Sequence, residues 1–398
     1  MRQTPRRFGT AMAALAATLL AAVPAAAATP RPAASDWAQD GHDAGHDAYN
    51  PDEYRITAGT VNRLVQRWSI ATTGGAVQQQ APIVAGTQLF LTDSAGIGAY
   101  NATTGVADWQ FPLPKTDNPQ APALATDGAA LIAYLRTGEL VSLDTATGSV
   151  RWRTPVPSRA PAGKLLLDRG VVVAGGNDGE NLGAWAFEAA TGKPLWHRLG
   201  LDPQWPVADG KMLLSRPYRG GLQAVDFATG RVAWETDRDW FGYAADPTGR
   251  FFLVGQDNDL LKVRADSGRV VWQAAGLSGA PAVDNDRVYL GVEDQPEMVV
   301  AVDLYTGEER WRLAAGLLPI VAGGLLWTSH SSPDQGWQLE ALDPVTGVPF
   351  DLPAAVHNAG GPDRTVVTHG WLYTTDGATL RAFTVPGSPE ALRAPSRS

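Results

Sequence analysis

A motif that recurs about every forty residues restricts the possible folds of this chain more than any other feature. Six copies end in Trp, the seventh ends in Asp351, and the eighth is shortened. The copies are AYNATTGVADW (99–109), SLDTATGSVRW (142–152), AFEAATGKPLW (186–196), AVDFATGRVAW (224–234), KVRADSGRVVW (262–272), AVDLYTGEERW (301–311), ALDPVTGVPFD (341–351) and AFTVPG (382–387). A period near forty is the length of a four-stranded β-propeller blade.

Each copy predicts a hairpin formed by the two outer strands of a blade. The Gly of the Thr-Gly pair allows a positive φ at the turn, and the Asp or Asn before it can accept hydrogen bonds from backbone amides two residues on. The Trp four residues after the Gly suits a wedge between neighbouring blades, with its N–H on a backbone carbonyl. A structural role is therefore predicted for Trp68, Trp109, Trp152, Trp196, Trp234, Trp272 and Trp311.

The number of blades depends on how the ring closes. Residues 365–385 supply three strands, whereas residues 64–70 form a lone strand near the start of the chain. Trp68 in this strand is in phase with the repeat that reaches Trp109. The predicted fold is therefore an all-β, eight-bladed propeller of four-stranded antiparallel blades, closed by an N-terminal strand that completes the last blade. The alternative is seven blades with an appendage.

The chain is expected to begin with an export signal. Arg2, Arg6 and Arg7 precede an apolar run over residues 11–23 and small residues before Thr29, which is the layout of a secretory signal peptide. A retained membrane anchor is the alternative, and the route could be Sec or twin-arginine. The predicted division is a signal peptide (1–28), an N-terminal strap segment (29–63), the propeller (64–386) and a flexible tail (387–398). The mature protein is expected to be extracellular, without a transmembrane segment.

Composition excludes several classes of function. The chain has 398 residues, 41 of them acidic and 32 basic, and a formal charge of −9. An acidic chain without a basic block binds nucleic acid poorly. There are no cysteines, which excludes disulfides, thiolate metal sites and cysteine nucleophiles. No catalytic residues are assigned, and a monomer is expected.

The strap segment contains an unusual run of histidines and acids, DGHDAGHDAYNPDE at 40–53. On a helix His42 and His46 would share one face, as metal ligands can, and Asp43 and Asp47 are the accompanying candidates. Glycines and a proline in the run favour a loop instead. Two interpretations stay open: a Zn or Ca site, or a polar strap across one face of the propeller.

A second candidate site is the mouth of the central channel. The positions two before the inner-strand proline are polar in the first four blades and small or apolar in the others. The predicted contact residues are Gln80, Gln120, Arg159 and Gln204, with Trp205 beside them. Gly242, Gly279 and Gly360 would face them and leave room for a ligand. This pattern favours a polar or anionic ligand, and ordinary rim residues are the alternative.

The A-x-D-x-x-T-G-x-x-x-W repeat resembles that of pyrroloquinoline quinone (PQQ)-type propellers, and residues 36–69 resemble the opening of secreted members. The resemblance covers roughly residues 36–387. It implies either a quinone-dependent alcohol or sugar dehydrogenase, or a scaffold like the propeller lipoprotein of the outer-membrane β-barrel assembly machinery. In the dehydrogenases PQQ lies beside a calcium ion held by Glu and Asn, often under a vicinal disulfide.

None of these dehydrogenase parts can be matched here, and no c-type haem motif is present. We therefore expect a non-catalytic binding or scaffold module without a cofactor, whose partner is a protein, a polar small molecule or a glycan. The alternative is an extracellular PQQ-dependent oxidoreductase with PQQ and calcium.

Overall fold

The computed structural model describes most of the chain after the predicted signal peptide. The described residues are 33, 35–72, 81–93, 95–113, 121–179, 182–217, 220–292, 297–314, 316–332, 336–360, 365–376 and 378–387. The predicted signal peptide and most of the C-terminal tail lie outside these residues.

Within the described residues the structure is almost entirely β. The strands are β1 (Tyr49–Asn50), β2 (Val65–Ala71), β3 (Ile83–Ala85), β4 (Gln88–Asp93), β5 (Gly96–Asn101), β6 (Ala107–Phe111), β7 (Ala123–Thr126), β8 (Ala130–Tyr134), β9 (Glu139–Asp144), β10 (Val150–Pro155), β11 (Ala160–Asp168), β12 (Val171–Asn177), β13 (Leu182–Glu188), β14 (Pro194–Leu199), β15 (Asp202–Ala208), β16 (Lys211–Ser215), β17 (Leu222–Asp226), β18 (Val232–Thr236), β19 (Phe241–Ala245), β20 (Phe251–Gln256), β21 (Asp259–Arg264), β22 (Val270–Ala274), β23 (Pro281–Val283), β24 (Arg287–Val292), β25 (Met298–Asp303), β26 (Glu309–Ala314), β27 (Leu317–Ala322), β28 (Leu325–Ser332), β29 (Gly336–Leu342), β30 (Thr365–Thr368), β31 (Trp371–Thr375) and β32 (Thr379–Thr384). A 3₁₀ turn (Val61–Arg63) and a short helix α1 (Ala354–His357) complete the elements.

The strands form eight four-stranded sheets, which are the blades of a propeller. Blades one to six each use four consecutive strands, from β3–β6 to β23–β26, and all pairings within them are antiparallel. Their inner three strands are apolar and buried, whereas the outermost strands alternate between exposed and half-buried residues. The predicted all-β, eight-bladed propeller is confirmed.

The ring closes through the N-terminal strand, as predicted. Blade eight consists of β30, β31 and β32, with β2 as its outermost strand. Strand β2 pairs antiparallel with β32, and Trp68 lies opposite Ala382. The first and last parts of the described chain therefore share one sheet, so this blade has no missing outer strand.

Blade seven departs from the regular pattern. Its antiparallel strands are β27, β28 and β29, and its fourth strand is β1, which pairs parallel to β27 on the inner side. The outer edge is reduced to an isolated bridge between Leu342 and Pro349. This difference coincides with the seventh copy of the motif, in which Asp351 replaces the usual Trp.

The Trp residues of the motif connect neighbouring blades. Each indole lies against the turn glycine of the next blade: a Cβ built on Gly148 would be 2.6 Å from the Trp109 ring, and one on Gly307 would be 2.8 Å from the Trp272 ring. Six of the seven indole N–H groups donate to a carbonyl of that next blade, and Trp109 reaches Thr145 at 2.7 Å. The other five bonds are Trp152 to Ala189, Trp196 to Phe227, Trp234 to Ala265, Trp272 to Leu304 and Trp311 to Pro344.

The strap segment, described from residue 35 onward, crosses the channel end and contacts the inner strand of every blade. The hydrogen bonds, in blade order, are Trp37 with Val84, the Thr126 amide to the Ala38 carbonyl, the Gln39 side chain with Leu167, the Val207 amide to the Ala44 carbonyl, the Ala245 amide to the Gly45 carbonyl, the Val283 amide to the Asp47 carbonyl, the Val321 amide to the Ala48 carbonyl, and the Asn50 side-chain Nδ2 to the Val367 carbonyl. The fourteen residues from Trp37 to Asn50 are therefore held by a ring of backbone groups from the eight blades.

No helix in the described part of the chain combines the length and the apolar character needed to cross a membrane.

Candidate functional site: the two ends of the channel

The end of the channel that the strap segment covers contains an acidic cavity. The cavity has a volume of about 510 Å³ and is lined by strap residues and by the turns between the first two strands of several blades. Its wall includes Asp43 and Asp47 from the strap, with Asp127 and Asp168 from blades two and three. Several carboxylates that face one small volume repel each other and favour cations.

Three of the four predicted metal ligands meet at this cavity. Ligand atoms of His42, Asp43 and Asp47 all lie within 4.8 Å of one another. His42 and Asp47 are buried, and Asp43 is exposed. Burial, followed by the charges of Asp43 and Asp246, raises the pKa of Asp47 well above its usual range.

His46, the fourth predicted candidate, points elsewhere. Its ring stacks on Trp205, with the ring centroids 5.0 Å apart and the planes 13° apart. The Nδ1 atom lies 3.2 Å from the Tyr243 carbonyl oxygen, and Nε2 lies 3.5 Å from an Asp40 carboxylate oxygen. The structure therefore separates the two histidines, which a shared helical face would have placed together.

Carboxylates at the start and end of the strap anchor it to blade eight. Asp36 lies 2.8 Å from His369 Nε2 and accepts hydrogen bonds from the Gly86 and Ala33 amides. Burial alone would raise the pKa of Asp36, but these hydrogen bonds outweigh it and lower the pKa. Glu53 accepts the Gly370 amide at 2.8 Å. These anchors could not be recognised from the sequence, because their partners His369 and Gly370 are more than three hundred residues away.

Arg159 lies at the opposite end of the channel from the strap. It immediately precedes β11, whereas the strap contacts that strand at Leu167. A bulge shortens β11 between Pro161 and Leu165, but the facing stretch of β12 from Val172 to Asn177 still spans five residue steps, or roughly 17 Å. Arg159 is exposed, and its guanidinium makes no ion pair or hydrogen bond with a described residue. Its side chain lies against Gly179, where a Cβ would be 3.0 Å from the guanidinium Nη1, and its role in binding stays a prediction.

Gln204 and Trp205 lie inside the channel wall. Gln204 is fully buried, and its side-chain amide donates to Ser215 Oγ at 3.0 Å and to the Asp202 carbonyl at 3.2 Å. Trp205 is half-buried under His46. The Gln204 Nε2 donor and the Trp205 ring therefore already have partners within the protein, whereas the buried Gln204 Oε1 accepts no hydrogen bond from a described residue.

Of the remaining predicted mouth residues, the structure describes the three glycines but neither of the two glutamines. Gln80 and Gln120 lie outside the described residues. Gly242 packs against Gln204, since a Cβ there would lie 3.1 Å from the Gln204 Cβ. Gly279 and Gly360 both have positive φ, 147° and 130°. The ligand site at the channel mouth stays a prediction.

The fold and its plugged channel define the class of protein: an eight-bladed β-propeller with an N-terminal strap across one channel end. A family model described as "Outer membrane protein assembly factor BamB" matches residues 27–236 and 220–347. The chain belongs to this family of PQQ-like propeller repeats.

Relatives with two kinds of function resemble the chain. The outer membrane protein assembly factor BamB of Yersinia pestis is 22% identical over 233 residues, which cover 54% of this chain and 56% of that protein. A polyvinylalcohol dehydrogenase of a Sphingopyxis species is 26% identical over 251 residues, which cover 51% of this chain and 34% of that protein. The chain thus spans only part of the length of these relatives.

Solved structures of both kinds share the fold. BamB from Moraxella catarrhalis superimposes with a TM-score of 0.60 at 18% identity, covering 81% of this chain and 99% of that one. The quinohemoprotein alcohol dehydrogenase from Comamonas testosteroni superimposes with a TM-score of 0.66 at 14% identity, covering 94% of this chain and 82% of that one. Because the identities are low, these similarities establish the fold and leave the function to the sites.

Proposed function

We propose that this chain is an exported, non-catalytic binding or scaffold module that receives a protein segment or polar ligand at the channel end marked by Arg159. The observation that carries the proposal is the strap segment, which hydrogen-bonds to all eight inner strands and occupies the other end. A partner that enters the channel therefore approaches from the Arg159 side.

The family match supports a scaffold role, because the matching model carries the name of an assembly factor. The exposed guanidinium of Arg159 favours an anionic group on the partner, such as a carboxylate. Export is supported by the signal-like sequence of residues 1–28 and by the outer-membrane role in the relatives' name.

PQQ-dependent oxidation is the second candidate, supported by the similarity to a dehydrogenase. The described residues do not fit that cofactor well. A flat anionic quinone needs a free planar face and polar groups for its carboxylates. His46 covers the face of Trp205, and the Gln204 amide is bonded within its own blade. We therefore derive no reaction step through PQQ.

Titration with PQQ and calcium chloride separates the two candidates. The absorbance spectrum of PQQ is expected to stay that of the free quinone, and no dye reduction is expected with alcohols or aldoses. If PQQ bound stoichiometrically at micromolar concentration and supported dye reduction, the scaffold proposal would be wrong and the chain would be a PQQ-dependent enzyme.

The binding proposal is tested by comparing two arginines at opposite ends of the channel. Arg159→Ala is expected to weaken the complex with a captured envelope protein at least tenfold while leaving the melting temperature unchanged. Arg169→Ala is the matched control, because Arg169 is exposed at the strap end. If Arg169→Ala alone weakened the complex, the partner would bind at the strap end of the channel, and the proposal would be wrong.

A further inference from the structure

The strap segment brings three side chains with metal-binding atoms together within six residues. Ligand atoms of His42, Asp43 and Asp47 lie within 4.8 Å of one another at the wall of the acidic cavity. Two of the three are buried, so the group differs from an exposed acidic loop. An imidazole nitrogen with two carboxylate oxygens is a donor set that zinc accepts in proteins.

Asp47 supplies an independent reason for a cation. Its residue surface is only 7% exposed. One carboxylate oxygen accepts the Tyr49 amide at 3.1 Å, whereas the other accepts no hydrogen bond from another described residue. A buried carboxylate is costly unless it is paired, hydrogen-bonded or bound to a metal. Asp43 and Asp246, which lie near it, carry the same charge, so they do not compensate it.

The backbone holds these ligands on a rigid support. The carbonyl oxygens of Ala44, Gly45 and Asp47 accept amides from the inner strands of blades four, five and six, at 2.7, 2.7 and 2.8 Å. The loop that carries the ligands is therefore fixed to three separate blades. Ligands on a supported backbone lose little entropy when they bind an ion.

We propose that His42, Asp43 and Asp47 bind one divalent cation of the zinc class, with the fourth coordination position facing the cavity. Zinc–ligand bonds of 2.0–2.1 Å in a tetrahedron place ligand atoms about 3.4 Å apart, so the three groups need to approach by roughly 1.4 Å at most. The imidazole ligand favours zinc over calcium, which prefers oxygen ligands. The ion would neutralise the buried carboxylate of Asp47 and the exposed carboxylate of Asp43, and it would hold the strap in the channel end.

Zinc titration of the full-length, EDTA-treated protein tests the proposal. Isothermal calorimetry is expected to give one zinc ion per chain with a dissociation constant in the micromolar range or lower, and zinc is expected to raise the melting temperature. Cobalt(II) substitution is expected to give the intense visible bands of a tetrahedral site. Absence of stoichiometric zinc binding, or tighter binding of calcium than of zinc, would overturn the proposal.

Asp43→Asn is the decisive variant, because Asp43 is exposed and Asn keeps the Oδ1 acceptor for the Gly45 amide. It is expected to weaken zinc binding at least tenfold without changing the melting temperature of the metal-free protein. Asp52→Asn is the matched control, since it removes an exposed charge from the same segment outside the cluster. If both variants weakened zinc binding equally, the ion would be held by general negative charge. If neither variant weakened it, the ion would bind at another place. Either result would contradict the proposed site.

Discussion

At the scale of single residues, the contact between indole and turn glycine is the most repeated interaction in the propeller. It is found for all seven motif Trp residues, from Trp68 on Gly105 to Trp311 on Gly347. The turn glycine thus has two roles, because it adopts a positive φ and also presents a flat surface without a Cβ. The repeat indicated the first role, and the structure adds the second.

Gly307→Ala and Gly387→Ala separate these two roles. Both glycines have a φ of 76°, but a Cβ on Gly307 would lie 2.8 Å from the Trp272 ring and one on Gly387 has nothing within 4 Å. Gly387→Ala is expected to cost the strain of the left-handed conformation, about 1–2 kcal/mol. Gly307→Ala is expected to cost clearly more in the free energy of unfolding measured with urea. Equal costs would contradict the role of the indole contact.

Trp272→Ala is expected to destabilise the protein by about 3–5 kcal/mol, because the ring is only 8% exposed and donates to the Leu304 carbonyl at 2.9 Å. Trp337 is half-exposed and lies outside the motif, so Trp337→Ala serves as the control, with a loss of about 1 kcal/mol or less. Denaturant unfolding monitored by circular dichroism measures both. A similar loss for the two variants would refute the wedge assignment.

At the scale of the hairpin, an Asp or Asn side chain closes the turn in five copies of the motif, at Asn101, Asp144, Asp226, Asp303 and Asp343. Asp303 accepts the Tyr305 and Thr306 amides at 2.9 Å and pairs with Arg310 at 2.7 Å. The Arg310 hydrogen bond is the main cause that lowers the pKa of Asp303 to about 2. Asn101 closes the first copy in the same way, so the turn requires the oxygen but not the charge.

Acid should weaken these turns. The pKa of Asp303 is lower in the folded than in the unfolded chain. The ionised Asp303 carboxylate therefore contributes to the free energy of unfolding above about pH 4, and this contribution is lost as the pH falls towards 2. Asp303→Asn is expected to reduce the loss of unfolding free energy between pH 5 and pH 3, measured with urea, by less than about 1 kcal/mol, because the pair is partly exposed. Asp239→Asn, at an exposed Asp without a described ion pair, is the control. An unchanged acid dependence in Asp303→Asn would contradict this account.

Sequence patterns predicted the elements well because each blade repeats one local solution. The Thr-Gly-to-Trp spacing located the outer hairpins, and the phase of Trp68 identified the closing strand. The reduced outer edge of blade seven coincides with the copy that has Asp351 in place of Trp, whereas the additional inner strand β1 was not predicted.

The path of the strap could not be predicted, because its hydrogen bonds join residues far apart in sequence and follow no local period. The glycines and the proline favoured a loop in this segment. Nothing in the sequence indicated that the side chains of His42 and His46 would lie apart. Gln204 illustrates the same limit: its position in the repeat resembles that of Arg159, yet a local bond to Ser215 turns it into the blade.

At the scale of the whole molecule, the N-terminal region serves twice, as the strap in the channel end and as the last strand of the ring. Deletion of residues 29–71 removes both and exposes the edge of β32. Aggregation is expected, or a melting temperature lower by about 10 °C or more. Removal of residues 388–398 is the control, and it is expected to leave the melting temperature unchanged. A 29–71 deletion that melts like the parent would contradict the closure model.

The absence of cysteine from the chain allows the binding end to be located directly. Arg159→Cys and Arg169→Cys each introduce a single thiol, one at each end of the channel, to which a photoactivatable benzophenone crosslinker can be attached. After irradiation in envelope extract, the account predicts a discrete protein adduct from the Arg159→Cys variant and none from the Arg169→Cys variant. An adduct from the Arg169→Cys variant alone, equal adducts from both, or no adduct from either would contradict the proposal that this propeller binds its partner at the end opposite the strap.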